Sequence, residues 1–199
     1  MYRDAVNVVA WAGPTSLRAE LGLTPTAPVI GAVGVLRAGR RLDVVLLAAT
    51  RLRAEFPELT TVIVGEGPER PFLEELAAEH GLGERVRFLG RRHDALELAA
   101  GFDVALLTSE RDGYPLVLLE YMSLGLPIVA VRSGGVPGLL HDGVEALLVR
   151  PGDPRLVASA VGLLLRNRLR ASLLGAAGAR RYALELGLEQ LPQVSASAR

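Results

Sequence analysis

The chain has 199 residues, 50% of them apolar, with 22 basic side chains against 22 acidic ones and no cysteine. That is enough for one domain with a sizeable core, since a chain of ~150 residues already buries roughly 70% of its unfolded surface. The composition excludes a disordered chain, a strongly basic nucleic-acid binder, disulfides and thiolate chemistry.

No apolar run approaches the ~20 residues of a membrane span. The start, MYRDAVNVVAW, lacks the basic-then-apolar order of a signal peptide. The expected compartment is the cytoplasm.

Residues 1–28, ending GPTSLRAELGLTPTAP, read as a lead-in with one short helix. Strands and helices then alternate. VIGAVGVL (29–36) is an apolar run of strand length, followed by apolar residues at helical spacing over 40–56. TTVIVG (60–65) predicts a second strand, and RPFLEELAAEHG (70–81) a helix closed by glycine. RVRFLG (85–90) and DALELAAG (94–101) form the next strand and helix. DVALLT (103–108) precedes a helix over 115–125. PIVAV (127–131) and EALLV (145–149) complete six strands, and helices follow over 153–167 and 170–187. Residues 191–199 read as a disordered tail. The expected fold is α/β: a single Rossmann-like, doubly wound parallel sheet of about six strands over 29–190, with extra terminal helices.

In such a sheet, ligands bind beyond the carboxyl ends of the strands, where strand order reverses. The loops expected there gather cations and glycines: Arg37 to Arg41, Gly65 to Pro68, Gly90 to His93, Ser109 to Tyr114 and Ser133 to Pro137. Such loops suit a phosphate. Any one of them also fits an ordinary βα connection.

The segment SERDGYPLVLLE (109–120) is the most informative. Pro115 stands at the predicted start of a helix, where a missing N–H costs nothing. The N–H groups of that first turn and the helix dipole form a seat for an anion. Asp112 and Glu120, eight positions apart, flank the seat with carboxylates suited to hydroxyl groups. Ribose, diphosphate and sugar in a nucleotide sugar have that layout. Spacing alone fits equally well an ordinary loop–helix–strand unit with two surface acids.

VIGAVGVL with RRLDVVLLA, VIVGEGPER, VRFLG, SERDGYPLVLLEYMSLGLPIVAVRSGGVP and LLVRPGD follow one another as in a known family. In order and spacing the chain resembles the GT-B glycosyltransferases of the large retaining family 4, also called glycosyltransferase group 1. The similarity covers about residues 16–185 and only the carboxyl-terminal, donor-binding half of those enzymes. It implies a nucleoside-diphosphate sugar as donor substrate, no metal and no further cofactor.

By resemblance, Asp112 contacts the donor sugar and Glu120 the ribose. The backbone N–H groups of Tyr114, Leu116 and Val117, beside Gly113 and Pro115, face the donor. Arg40 takes the lysine place of a G-R-L-x-x-x-K-G pattern that begins at Gly34, and neutralises the diphosphate. Gly65, Gly67 and the Gly90–Arg91 turn fall near the nucleobase. The departures are specific. Val35 stands at the family's phosphate arginine, and Arg41 at the glycine after the lysine. Gly138 stands at an acid, and Asp112 is roughly 1.5 Å shorter in reach than glutamate. Arg37, Arg41 and Arg91 are the candidate replacements for the missing cation.

The implied function is the donor-binding half of a hexosyltransferase, inactive without an acceptor-binding domain. A separate protein or self-association could supply that domain. The alternative is a non-catalytic nucleotide- or protein-binding domain of the same fold. An epimerase of the same architecture would equally need two domains. His80, His93 and His141 show no metal-ligand spacing. His80 reads as a helix end and His141 as a turn residue. Trp11 reads as a packing residue of the lead-in.

Overall fold

The computed structural model describes residues 15–110 and 113–186. Asp112, Trp11 and the predicted tail therefore lie outside the described residues. Six parallel strands form one sheet: β1 (Val29–Val33), β2 (Thr60–Val64), β3 (Val86–Phe88), β4 (Val104–Leu107), β5 (Ile128–Val131) and β6 (Ala146–Val149). Their spatial order is β3-β2-β1-β4-β5-β6, so the chain reverses direction across the sheet between β1 and β4.

The helices are α1 (Thr15–Glu20), α2 (Leu42–Leu52), α3 (Arg70–Glu79), α4 (Ala95–Ala99), α5 (Leu116–Ser123), α6 (Val136–Leu139), α7 (Pro154–Arg166) and α8 (Arg168–Arg181). They cover both faces. Ile30, Val104, Leu106 and Val129 share a core with α2, α3 and α7. Val29, Ala105, Leu107, Ile128 and Ala130 share the other with α1, α4 and α5. Alternate strand residues point to opposite faces, so strands covered on both faces must be apolar throughout. Each fully buried aliphatic side chain contributes about 1.5–3 kcal/mol.

Several boundaries differ from expectation. β1 ends at Val33, three residues early, because Gly34 turns away with φ 148°. The helix expected over 40–56 is a short 3-10 turn over Ala38–Arg40 followed by α2. The last expected helix starts earlier and passes into a π-helical turn over Tyr182–Leu186. The predicted lead-in contributes to the core: Leu17 of α1 is fully buried. Arg18 donates to Gly101 O (2.9 Å) and pairs with Asp103 (2.6 Å), which also accepts from Val29 N (2.7 Å). This pair anchors the amino-terminal edge of the sheet, opposite the candidate site.

Candidate functional site

The register between β1 and β4 runs through Ile30–Val104 and Gly31–Ala105. Past it the two strands part, and a cleft opens at their carboxyl ends, lined by Val33, Gly34, Val35, Arg40, Thr108 and Ser109 among others. This is the position where an open α/β sheet binds its ligand.

Two loops meet over the cleft. The β1–α2 loop and the loop leaving β4 are joined by Glu110 N to Gly39 O (3.1 Å) and Thr108 Oγ1 to Arg40 O (2.9 Å). Arg40 donates from its guanidinium to Ser109 Oγ (3.3 Å). Its guanidinium lies over Gly34, 3.3 Å from where a side chain on that residue would begin. A cation is thus held flat against the end of β1.

Helix α5 follows β4 and is tied to the end of β1 by the Tyr121 hydroxyl, which accepts from Val33 N (2.9 Å). Pro115 is its N-cap, extended at ψ 93°, one position ahead of the first helical residue expected for it. The Leu118 N–H is already bonded back to Pro115 O (2.9 Å), leaving the amides of Leu116 and Val117 ahead of it at the helix mouth. Tyr114 and Leu116 are 52% and 56% exposed, as is Val35 at 54%. Glu120 is solvent-reachable, and partial desolvation raises its pKa above the ordinary carboxylate value. Beside it, Tyr121 is fully buried; its phenol is pushed up chiefly by desolvation, with Glu120 adding to the shift and Arg40 opposing it.

Gly65 sits under Gly34 so closely that a β-carbon there would lie 1.8 Å from Gly34 O. Gly65 N bonds to Gly90 O (2.8 Å), and a β-carbon on Gly67 would strike Leu36 O at 2.3 Å. The loops after β1, β2 and β3 are thereby locked in a row, with Arg91 exposed at its end. On the other side, Ser133 Oγ donates to Ser109 O (2.5 Å). A β-carbon on Gly135 would meet Gly113 O at 1.9 Å.

The structure thus brings Gly34 and Arg40 to the cleft, with Glu120 linked through Tyr121. It places Tyr114, Leu116 and Val117 at the helix mouth, Gly113 against the Gly135 loop, and Gly65, Gly67 and Arg91 along the β2–β3 side. Arg41 is engaged elsewhere, paired with Asp43 and Glu110. Ser109, Ser133 and Tyr121 support the site, and sequence reading did not single them out. The one signal for Tyr121 was an aromatic hydroxyl next to Glu120 in a largely apolar helix. Among the described residues no group of His, Asp and Glu side chains could hold a metal ion, and no helix is long and apolar enough to cross a membrane.

The doubly wound parallel sheet, with helices on both faces, defines the class as a Rossmann-like α/β domain. Residues 15–181 match the family Glycosyl transferases group 1, and the chain belongs to it. It is 34% identical over 189 residues to the D-inositol 3-phosphate glycosyltransferase of Corynebacterium urealyticum, covering 89% of this chain and 45% of that protein. It is similar to Anabaena Alr3699/HepE in complex with UDP and glucose, with TM-score 0.79 and 26% identity over 85% of this chain and 47% of that one. The C-terminal domain of the group 1 family protein LpcC from Francisella tularensis shares the fold, at TM-score 0.73 and 22% identity, covering 79% of this chain and 85% of that one. The chain spans less than half the length of that curated relative and of HepE.

Proposed function

We propose that this chain is the carboxyl-terminal, donor-binding half of a retaining, family 4 GT-B glycosyltransferase that takes a hexose from a nucleoside-diphosphate sugar. The observation that carries the reading is Arg40, held over Gly34 and against Ser109 at the switch-point cleft. UDP is the first nucleotide to test, because HepE is described in complex with it.

Sugar transfer breaks the bond between the anomeric carbon and a diphosphate oxygen, and negative charge develops on that oxygen. Arg40 and the amides of Leu116 and Val117 are fixed donors for that charge, an effect that needs no reorganisation during the step. Glu120 accepts from the ribose hydroxyls and Asp112 from those of the sugar. Gly113, Tyr114 and Pro115 shape the sugar side, and Gly65, Gly67 and Arg91 the nucleobase side. Val35 leaves the diphosphate one cation short of the family pattern.

Bond formation requires an acceptor hydroxyl aligned with the anomeric carbon, and such alignment accounts for roughly 7–11 kcal/mol of a barrier. An acceptor-binding domain, in a partner protein or a second copy, provides it. The cytoplasm, where nucleotide sugars are made, is the proposed compartment.

A second reading is a non-catalytic nucleotide- or protein-binding domain, favoured by Val35 at the phosphate-arginine position and by the shorter Asp112. Calorimetry with UDP, GDP, ADP and their sugars separates the readings. Binding of one nucleoside diphosphate below millimolar, with sugar transfer once an acceptor domain is added, supports the first. Binding without transfer supports the second, and no binding at millimolar concentration refutes both nucleotide-based readings.

A further inference from the structure

Among the described residues Arg41 is the one non-glycine with a positive φ, 50°. A side chain in the left-handed region crowds the backbone, and such a residue persists where its surroundings over-determine it. Here the surroundings are two carboxylates. Arg41 Nε and a terminal nitrogen grip Asp43 Oδ1 and Oδ2, each at 3.0 Å. The other terminal nitrogen pairs with Glu110. Asp43 lies in the first turn of α2, while Glu110 lies in the loop leaving β4, 69 positions away in sequence. The pair is backed by the β6–α7 loop: a β-carbon on Gly152 would sit 3.8 Å from Glu110 Oε1 and 3.9 Å from the Arg41 guanidinium.

The same two loops share the Glu110 N to Gly39 O bond and the Thr108 Oγ1 to Arg40 O bond. Arg41 closes the outer side of this junction, with Arg40 and Ser109 on its inner side. The nitrogens of Arg41 are spent on two acids. The cation is neutralised in place and points along the loop junction.

We propose that Arg41 is a positioning residue: it straps the β1–α2 loop to the loop leading into α5, and so holds Arg40 in register with the helix mouth, without itself binding phosphate. The effect on nucleotide affinity rests on the function proposed above; the strap itself does not.

The test uses the whole chain with Arg41→Gln, Arg41→Gly, Glu110→Gln and the double variant Arg41→Gln with Glu110→Gln. Two quantities are read: amide hydrogen exchange without ligand, and UDP affinity by calorimetry. The strap predicts about tenfold faster exchange at the Glu110 amide in every variant, with β2 and β3 amides unchanged. It also predicts about threefold to tenfold weaker UDP binding in each single variant, and a double variant no weaker than either single one, because removing either partner breaks the same contact. Arg41→Gly relieves the strained φ, so affinity lost without lost stability marks positioning and not folding. Unchanged exchange at Glu110 overturns the proposal. So does an Arg41→Gln variant that loses affinity while Glu110→Gln keeps or gains it, the pattern of a direct phosphate contact. If the wild-type chain binds no UDP, the functional reading fails alone, and exchange still decides the strap.

Discussion

Tyr121 accepts a 2.9 Å hydrogen bond at its hydroxyl from the backbone N–H of Val33. It joins the residue after Glu120 to the residue before Gly34. The Gly34 N–H bonds to Val64 O in β2, so the Val33 N–H faces the β4 side, past the last Gly31–Ala105 register pair. Where β1 and β4 separate to open the cleft, a backbone donor loses its strand partner, and a helix side chain replaces it.

Tyr121→Phe removes the acceptor and keeps the ring. The orphaned buried donor costs about 1–3 kcal/mol. Urea unfolding is expected to show that loss, and UDP affinity to fall with it, because α5 is no longer tied to the end of β1. Unchanged stability would mean that another acceptor reaches Val33.

Glu120→Gln separates binding from folding. Desolvation raises the folded-state pKa of Glu120 above its unfolded value. A raised pKa means that this carboxyl contributes stability below the unfolded value, and that the contribution is lost as pH rises through the folded one. At pH 7 the ionised group is therefore slightly unfavourable to the fold. The variant should be at least as stable as wild type at pH 7, with a flatter stability profile above the ordinary carboxylate range. Its UDP affinity should fall about tenfold to a hundredfold, the scale of a hydrogen bond to a charged group. Lost stability with unchanged affinity would assign Glu120 a structural role.

Gly135→Ala should misplace the helix mouth. The new β-carbon would begin 1.9 Å from Gly113 O, so one loop must move. A cost of about 1–3 kcal/mol is expected, with weakened nucleotide binding. Gly138→Ala is the control: nothing lies within 4 Å of its β-carbon. It should remain within about 0.5 kcal/mol of wild type in thermal or urea unfolding.

Val35→Arg adds the cation that the family pattern places there. The side chain at 35 is 54% exposed, so the change should be nearly neutral for stability. One added charge-assisted bond to phosphate should tighten UDP binding about tenfold in calorimetry. Unchanged affinity in a folded variant would mean that no diphosphate passes position 35.

The sequence by itself determined the α/β class, the six strands and the order of the loops. Short apolar runs such as TTVIV and VALL, alternating with helical segments, suit a parallel sheet covered on both faces. It also singled out Pro115 and Glu120, because a helix start flanked by charge is a local pattern, whereas Arg40 was picked out by resemblance to the family. Strand and helix ends were less legible. The end of β1 depends on Gly34 packing against Gly65, and the short helix α6 was hidden in a Gly- and Pro-rich stretch that reads as a loop. Only the tertiary structure decided which partners meet. Arg37, Arg41 and Arg91 looked alike as replacements for a missing cation, yet Arg41 is committed to Asp43 and to Glu110, 69 positions away. The hydroxyl of Tyr121 meets an N–H 88 positions away. Periodicity and capping act within a few residues of chain, whereas hydrogen bonds and ion pairs are set by distances of about 3 Å in space, which the sheet's crossovers create.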